Sequence, residues 1–160
     1  MRNHSKGTYL AHILFLAAAT VALLFPFVDK AFHIDDTLFL WTARQIIERP
    51  WDFYGFQGNW DGAISPATAI IKNPPIAAYY MAFAGWLGGF SEKTLHLAFM
   101  FPAVMAVWGV YSLARRMSTQ PLLAAVLCLA TPAFLVSSTT LMSDVMLAAF
   151  WVWAAFFWIR

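Results

Sequence analysis

The stretch Phe32-His33-Ile34-Asp35-Asp36-Thr37-Leu38 sets two carboxylates side by side, just after the first long apolar run, Tyr9 to Val28. The chain has eight acidic residues among 160, so two of them together at one boundary ask for a reason beyond packing. Downstream, Leu38, Phe39, Ile46 and Ile47 are apolar, Arg44, Gln45 and Glu48 are polar, and Pro50 stops the pattern. This spacing predicts an amphipathic helix over 36–48 at a membrane surface, with Asp35 or Asp36 as its N-cap. Carboxylates at a helix start are favoured in their ionised form by the helix dipole. An ionised carboxylate can act as a general base on a hydroxyl or hold a divalent cation. Simple capping explains the same two residues equally well at this level.

The residues around this stretch define the class. The sequence is 61% hydrophobic, 18% aromatic and 11% charged, whereas a soluble domain carries about 25% charged residues. An all-α integral membrane protein follows, because lipid offers the backbone no hydrogen-bond partners. A net charge of +2 gives nucleic acid no footing, and the single cysteine, Cys128, excludes an internal disulfide. The expected architecture has about four transmembrane helices, at 9–28, 95–114, 121–138 and 144–160. Surface or re-entrant helices at 36–48 and 75–88 lie in a large external loop, 29–94. The apolar run from Tyr9 to Val28 exceeds the about 7–15 residues of a signal-peptide core, so it is read as a retained span. Residues 51–62 interleave aromatics with Gly55, Gly58 and Gly62 and read as an ordered loop. Pro74 or Pro75 starts the next helix, and Gly88-Gly89 ends it.

Topology decides which acids can meet. The 76–90 run has about 15 residues against the about 20 that a span needs. If it does not cross, Arg2, Lys6, Arg115, Arg116 and Arg160 all fall on the cytoplasmic side, as the positive-inside rule asks. All eight acids then fall outside, and Asp144, at the mouth of the last span, shares a face with Asp35 and Asp36. Lys72 is a candidate partner for a phosphate oxygen, or a lysine snorkelling to the headgroups. Asp52, Asn59 and Asp61 lack calcium-loop spacing. A transporter or lipid-binding membrane module without chemistry would place its ionisable groups inside the spans. A structural subunit would use its acids only as caps.

Several motifs, in order, carry a resemblance. They are Asp35-Asp36-Thr37-Leu38-Phe39, then Lys72-Asn73-Pro74-Pro75-Ile76, then a span ending Leu113-Ala114-Arg115-Arg116. Thr131-Pro132-Ala133-Phe134 through Leu141-Met142-Ser143-Asp144 follows. The chain resembles the bacterial membrane glycosyltransferases of the GT-C fold, such as the aminoarabinose transferases of lipid A and the protein O-mannosyltransferases of glycosyltransferase family 39. The resemblance implies the N-terminal portion of a larger multi-span protein in the cell inner membrane, with 1–160 as one transmembrane domain. It implies inverting transfer of a sugar from a polyprenyl-phosphate donor to an acceptor hydroxyl on the periplasmic face. Asp35 matches the family's catalytic base and Asp144 its second functional aspartate. Asp36, Lys72 and Asn73 are implied substrate-binding residues, and Asp35 and Asp36 are the candidates for any divalent cation. The sequence departs from the family pattern in pairing Asp with Asp rather than Asp with Glu, and in placing Asn73 directly before the prolines.

Overall fold

The computed structural model describes residues 6–159; Arg2 and Arg160, counted above toward the topology, lie outside the described residues. The elements run α1 (Lys6–Leu24), a 3-10 turn (Phe25–Phe27), α2 (Asp36–Glu48), β1 (Gln57–Asn59), β2 (Ile64–Pro66) and α3 (Ala67–Ile70). They continue with α4 (Ile76–Gly88), α5 (Glu92–Met117), α6 (Pro121–Leu129), α7 (Pro132–Ser138) and α8 (Asp144–Trp158).

Gly7–Phe27 and Glu92–Met117 are long and apolar enough to cross a membrane. The expected span over 121–138 is broken into α6 and α7, bent by 59°. Its cause is local. Pro132 has no N–H to continue the helix, and it pushes Thr131 out of the helical region (φ −70°, ψ 127°). The pair forms a third candidate span, while α8 and α4 are shorter apolar helices. Large apolar side chains such as Leu10, Leu14, Phe101, Leu127, Phe150 and Trp151 stay exposed, a surface that suits lipid rather than water.

Direction follows from contacts. Tyr9 stacks on Tyr111, while Leu24 and Val28 pack with Met100 and Ala103, so α1 runs antiparallel to α5. Val145 packs beside Met100 and Ala103, Trp153 donates to the Met105 carbonyl at 3.0 Å, and Arg116 reaches Phe156 and Ile159. Thus α8 runs parallel to α5. Close approach depends on Gly109: an added Cβ would lie 2.4 Å from Val152 Cγ1, so only glycine lets α8 approach α5 this closely. The bundle therefore has a basic end, with Arg115 and Arg116, and a loop end. The segment between α1 and α5 leaves and returns at the loop end.

Helix termini are set by their residues. Ser91 caps α5 through its Oγ, which accepts from Thr94 N at 3.2 Å. Arg115 and Arg116 occupy the last turn of α5, where the dipole favours cations. Pro102 inside α5 leaves the Ala98 carbonyl without its helical donor, and the Tyr80 hydroxyl of α4 supplies one at 2.6 Å. Helix α2 ends at Arg49, before Pro50. Helix α4 begins after Pro75 and ends at Gly89, whose φ of +86° suits glycine. Both are 13 residues long, short of a crossing. They pack together through Phe39, Ala43, Ile46, Ala77, Ala78 and Met81.

Part of the 51–62 loop is a small antiparallel hairpin. Gln57 pairs with Pro66, Gly58 with Ser65 and Asn59 with Ile64. Gly62 (φ +85°) makes a turn, but Gly58 sits mid-strand, where a Cβ would lie 3.0 Å from the Trp41 ring. Glycine there lets the strand lie against α2.

Candidate active site

Asp35 and Asp36 are neighbours in sequence and opposites in environment. Asp36, the first residue of α2, is 1% exposed. Its Oδ2 accepts from His33 N at 2.8 Å, and its Oδ1 accepts from Leu141 N at 2.8 Å. The second bond joins residues 105 positions apart and is buried. Hydrogen bonds to a charged acceptor are worth about 1.5–3 kcal/mol each. Together they clamp the start of α2 to the segment that leads into α8. Lys30 grips the same segment, donating to the Thr139 carbonyl at 3.0 Å and to Thr139 Oγ1 at 3.3 Å.

Asp35 occupies the N-cap position, yet its backbone is helical (φ −72°, ψ −24°) and its side chain makes no capping bond. Its side chain is 42% exposed, 3.6 Å from His33 Nδ1. That nitrogen accepts from the Asp35 backbone N–H at 3.3 Å. Asp36 is thus buried and bonded through both oxygens, whereas the Asp35 carboxylate is partly exposed.

Asp144 is the first residue of α8, with Ser143 at the N-cap position, and it is exposed. It lies three positions after Leu141, a reach of at most about 11 Å. Asp35 is bonded to Asp36, which touches Leu141 directly. The structure therefore brings Asp35, Asp36 and Asp144 to one end of the bundle, and a hydrocarbon layer of about 30 Å cannot lie between them.

Lys72 and Asn73 are placed differently. Lys72 is exposed and donates to the Thr68 carbonyl at 2.9 Å. The Asn73 carbonyl accepts from the Tyr54 hydroxyl. Burial pushes the Tyr54 phenol up, which keeps it a donor. Among the described residues, no hydrogen bond or ion pair links Lys72 or Asn73 to Asp35, Asp36 or Asp144. No group of three or more His, Cys, Asp or Glu is set to hold a metal ion among the described residues.

Two further features were not legible from sequence. Lys30, beside Asp29 at a span exit, reads as a boundary charge, and its partner lies 109 positions away. His96 reads as an ordinary helix residue. It is 5% exposed, its Nδ1 donates to the Glu92 carbonyl at 2.8 Å, its ring stacks on Phe32, and its Nε2 has no hydrogen-bond partner among the described residues. For Lys30, the available signal is the polar patch Ser137-Ser138-Thr139-Thr140, which contains its partner Thr139.

An apolar cleft of about 430 Å³ opens between α4, α5 and α8, bordered by Tyr80, Phe83, Pro102, Met105, Met146 and Trp153. It falls in the size range of small-molecule sites, and its walls offer almost no polar atoms.

An all-α multi-pass membrane protein with its carboxylates gathered at one end of the bundle defines the class. The chain belongs to a GT-C glycosyltransferase family: the family described as dolichyl-phosphate-mannose-protein mannosyltransferase matches residues 72–160, over half of the 160 residues. The matched range contains Lys72, Asn73 and Asp144 and begins after Asp35 and Asp36. No curated protein and no solved structure matches the chain.

Proposed function

We propose that this protein transfers a sugar from a polyprenyl-phosphate donor to an acceptor hydroxyl at the loop end of the bundle, with inversion at the anomeric carbon. The observation that carries the reading is the buried Asp36–Leu141 hydrogen bond, which leaves Asp35 exposed at the same end as Asp144. In this reading the loop end is the periplasmic face of the inner membrane, and the basic end is cytoplasmic, as the charge bias favours.

Asp35 accepts the proton of the acceptor hydroxyl as that oxygen forms its bond to the anomeric carbon. The bond from that carbon to the phosphate oxygen breaks on the opposite face, and the lipid phosphate keeps the electron pair. A phosphate leaves without protonation, so a single carboxylate suffices and no general acid is required. Asp144 is the second carboxylate of the site and orients the acceptor or the sugar. The apolar cleft between α4, α5 and α8 is suited to the isoprenoid tail, which seeks a wall without polar groups. Lys72 and Asn73 are proposed to meet the donor phosphate only with a change in the Lys72 side chain, because its ammonium is engaged with Thr68.

The test is sugar transfer by the full-length protein in vesicles supplied with a polyprenyl-phosphate sugar. Replacing Asp35 by Asn should reduce the rate by about 10²–10⁴-fold, the usual contribution of a positioned base. An undiminished rate would rule the assignment out.

A further inference from the structure

A second cleft, of about 360 Å³, lies between α2 and β1 in the segment that joins α1 to α5. Its character is the reverse of the first. Trp41 and Phe56 supply aromatic surface, while Arg44, Glu48, Gln57 and Asn59 supply polar groups. We propose that this cleft binds a neutral saccharide unit of the acceptor, so that the acceptor is a glycan. The role of that saccharide as acceptor rests on the transfer reaction proposed above; its binding does not.

Four observations carry the assignment. First, the cleft combines ring surface with planar amide and carboxylate groups. A pyranose has an apolar face of C–H bonds that packs on an aromatic ring and a rim of hydroxyls that both donate and accept. Second, the charged groups on the walls are one Arg and one Glu, so the cleft does not select for an anion or a cation. Lipid phosphates and acidic peptides are thereby disfavoured, and the polar walls disfavour an isoprenoid tail.

Third, the side chains of Glu48, Gln57 and Asn59 are exposed and make no hydrogen bond or ion pair among the described residues, so their capacity is unspent. Fourth, the frame is fixed. Trp41 meets Trp60 edge-to-face at 6.4 Å, Gln45 Nε2 donates to the Asp52 carbonyl at 2.9 Å, and the hairpin pins Gln57 and Asn59. A Cβ at position 58 would press on the Trp41 ring, so Gly58 fixes how closely the strand approaches the indole. Preorganised aromatic and polar groups of this kind reduce the ordering cost of binding.

The test is saturation-transfer NMR on the full-length protein in nanodiscs, with neutral trisaccharides of mannose, glucose and N-acetylglucosamine as probes. A neutral Ser/Thr-rich peptide is run beside them. At least one trisaccharide should give contacts. The Glu48→Ala/Asn59→Ala double variant should weaken that probe by about tenfold or more, through loss of two or more hydrogen bonds. Trp41→Leu should weaken it further. Both substituted polar positions are exposed, so the double variant is expected to fold normally, and its melting temperature checks this. The probe should also bind Asp35→Asn undiminished, which separates failure of this proposal from failure of the transfer reading. Absence of signal from every trisaccharide, an unchanged signal in the double variant, or a signal from the peptide in place of the sugars would overturn the inference.

Discussion

At the basic end of the bundle the protein uses its arginines on itself, whereas at the loop end it leaves two carboxylates available. Arg115 lies 4.5 Å over the Tyr9 ring, and Arg116 lies 3.7 Å over Phe156 while donating to the Phe156 and Ile159 carbonyls. The Phe156 carbonyl is among the last of α8, which have no helical donors, and Ile159 is the residue that follows the helix, so Arg116 both satisfies this end and complements the dipole. The loop end is also tied across the chain, by Asp36 to Leu141 and Lys30 to Thr139. There, however, the tie leaves Asp35 and Asp144 facing outward. A bundle end that is only structural consumes its charges; one that meets a substrate keeps some. The contrast shows how one member of an adjacent pair holds the scaffold while the other stays accessible.

This contrast can be broken at four places. The largest effect is expected at Asp35. Asp35→Asn should lose about 2.7–5.5 kcal/mol of transition-state stabilisation in a sugar-transfer assay, the equivalent of 10²–10⁴-fold. Its thermal stability should change by no more than about 0.5 kcal/mol, because the side chain is 42% exposed and its one close polar contact is with the exposed His33. Asp36→Ala should do the opposite first. It leaves the Leu141 and His33 N–H groups without acceptors, and unfolding in detergent should show a loss of about 3 kcal/mol. Transfer should fall with it as the start of α2 separates from Leu141.

Gly109→Ala tests the middle of the bundle, between the two ends. Overpacking against Val152 and Trp153 should cost about 1–3 kcal/mol in the same unfolding measurement. Smallest is Arg116→Ala at the basic end. It should cost about 1 kcal/mol of stability, consistent with lost carbonyl capping and cation–π contact. Transfer at the loop end should stay near the unsubstituted rate. A large loss of activity in Arg116→Ala with stability kept would erase the distinction between the ends.

Much of the fold was legible in the sequence because each cue was local. The first span, α5 and α8 follow from apolar runs bounded by charge, and α4 from the prolines before it and the Gly88-Gly89 pair after it. The break at Thr131-Pro132 is hidden in the sequence, since the apolar run passes through it and only the proline interrupts the helix. The hairpin at 57–66 likewise has no local signal in the sequence. Gly58 and Asn59 disfavour strands, and Gly58 lies against Trp41 of α2, a surface outside any short window.

The candidate site divides along the same line. That an acidic pair opens α2 could be read directly. Which carboxylate is buried could not, because Asp36 is chosen by a backbone N–H more than a hundred positions away. Likewise Asp144 could be placed at the start of α8, whereas the grip of Lys30 on Thr139 could not. Lys72 reads as a phosphate partner in sequence, but in the fold its ammonium lies on the Thr68 carbonyl.

The most direct test of the shared loop end is side-specific labelling of single cysteines. Trp60→Cys and Asp144→Cys are made separately in a Cys128→Ala background and treated with a membrane-impermeant thiol reagent in sealed, oriented vesicles. Labelling of both from the same side is the expected result. Labelling from opposite sides would contradict the account, because Asp35 and Asp144 could then serve no common site.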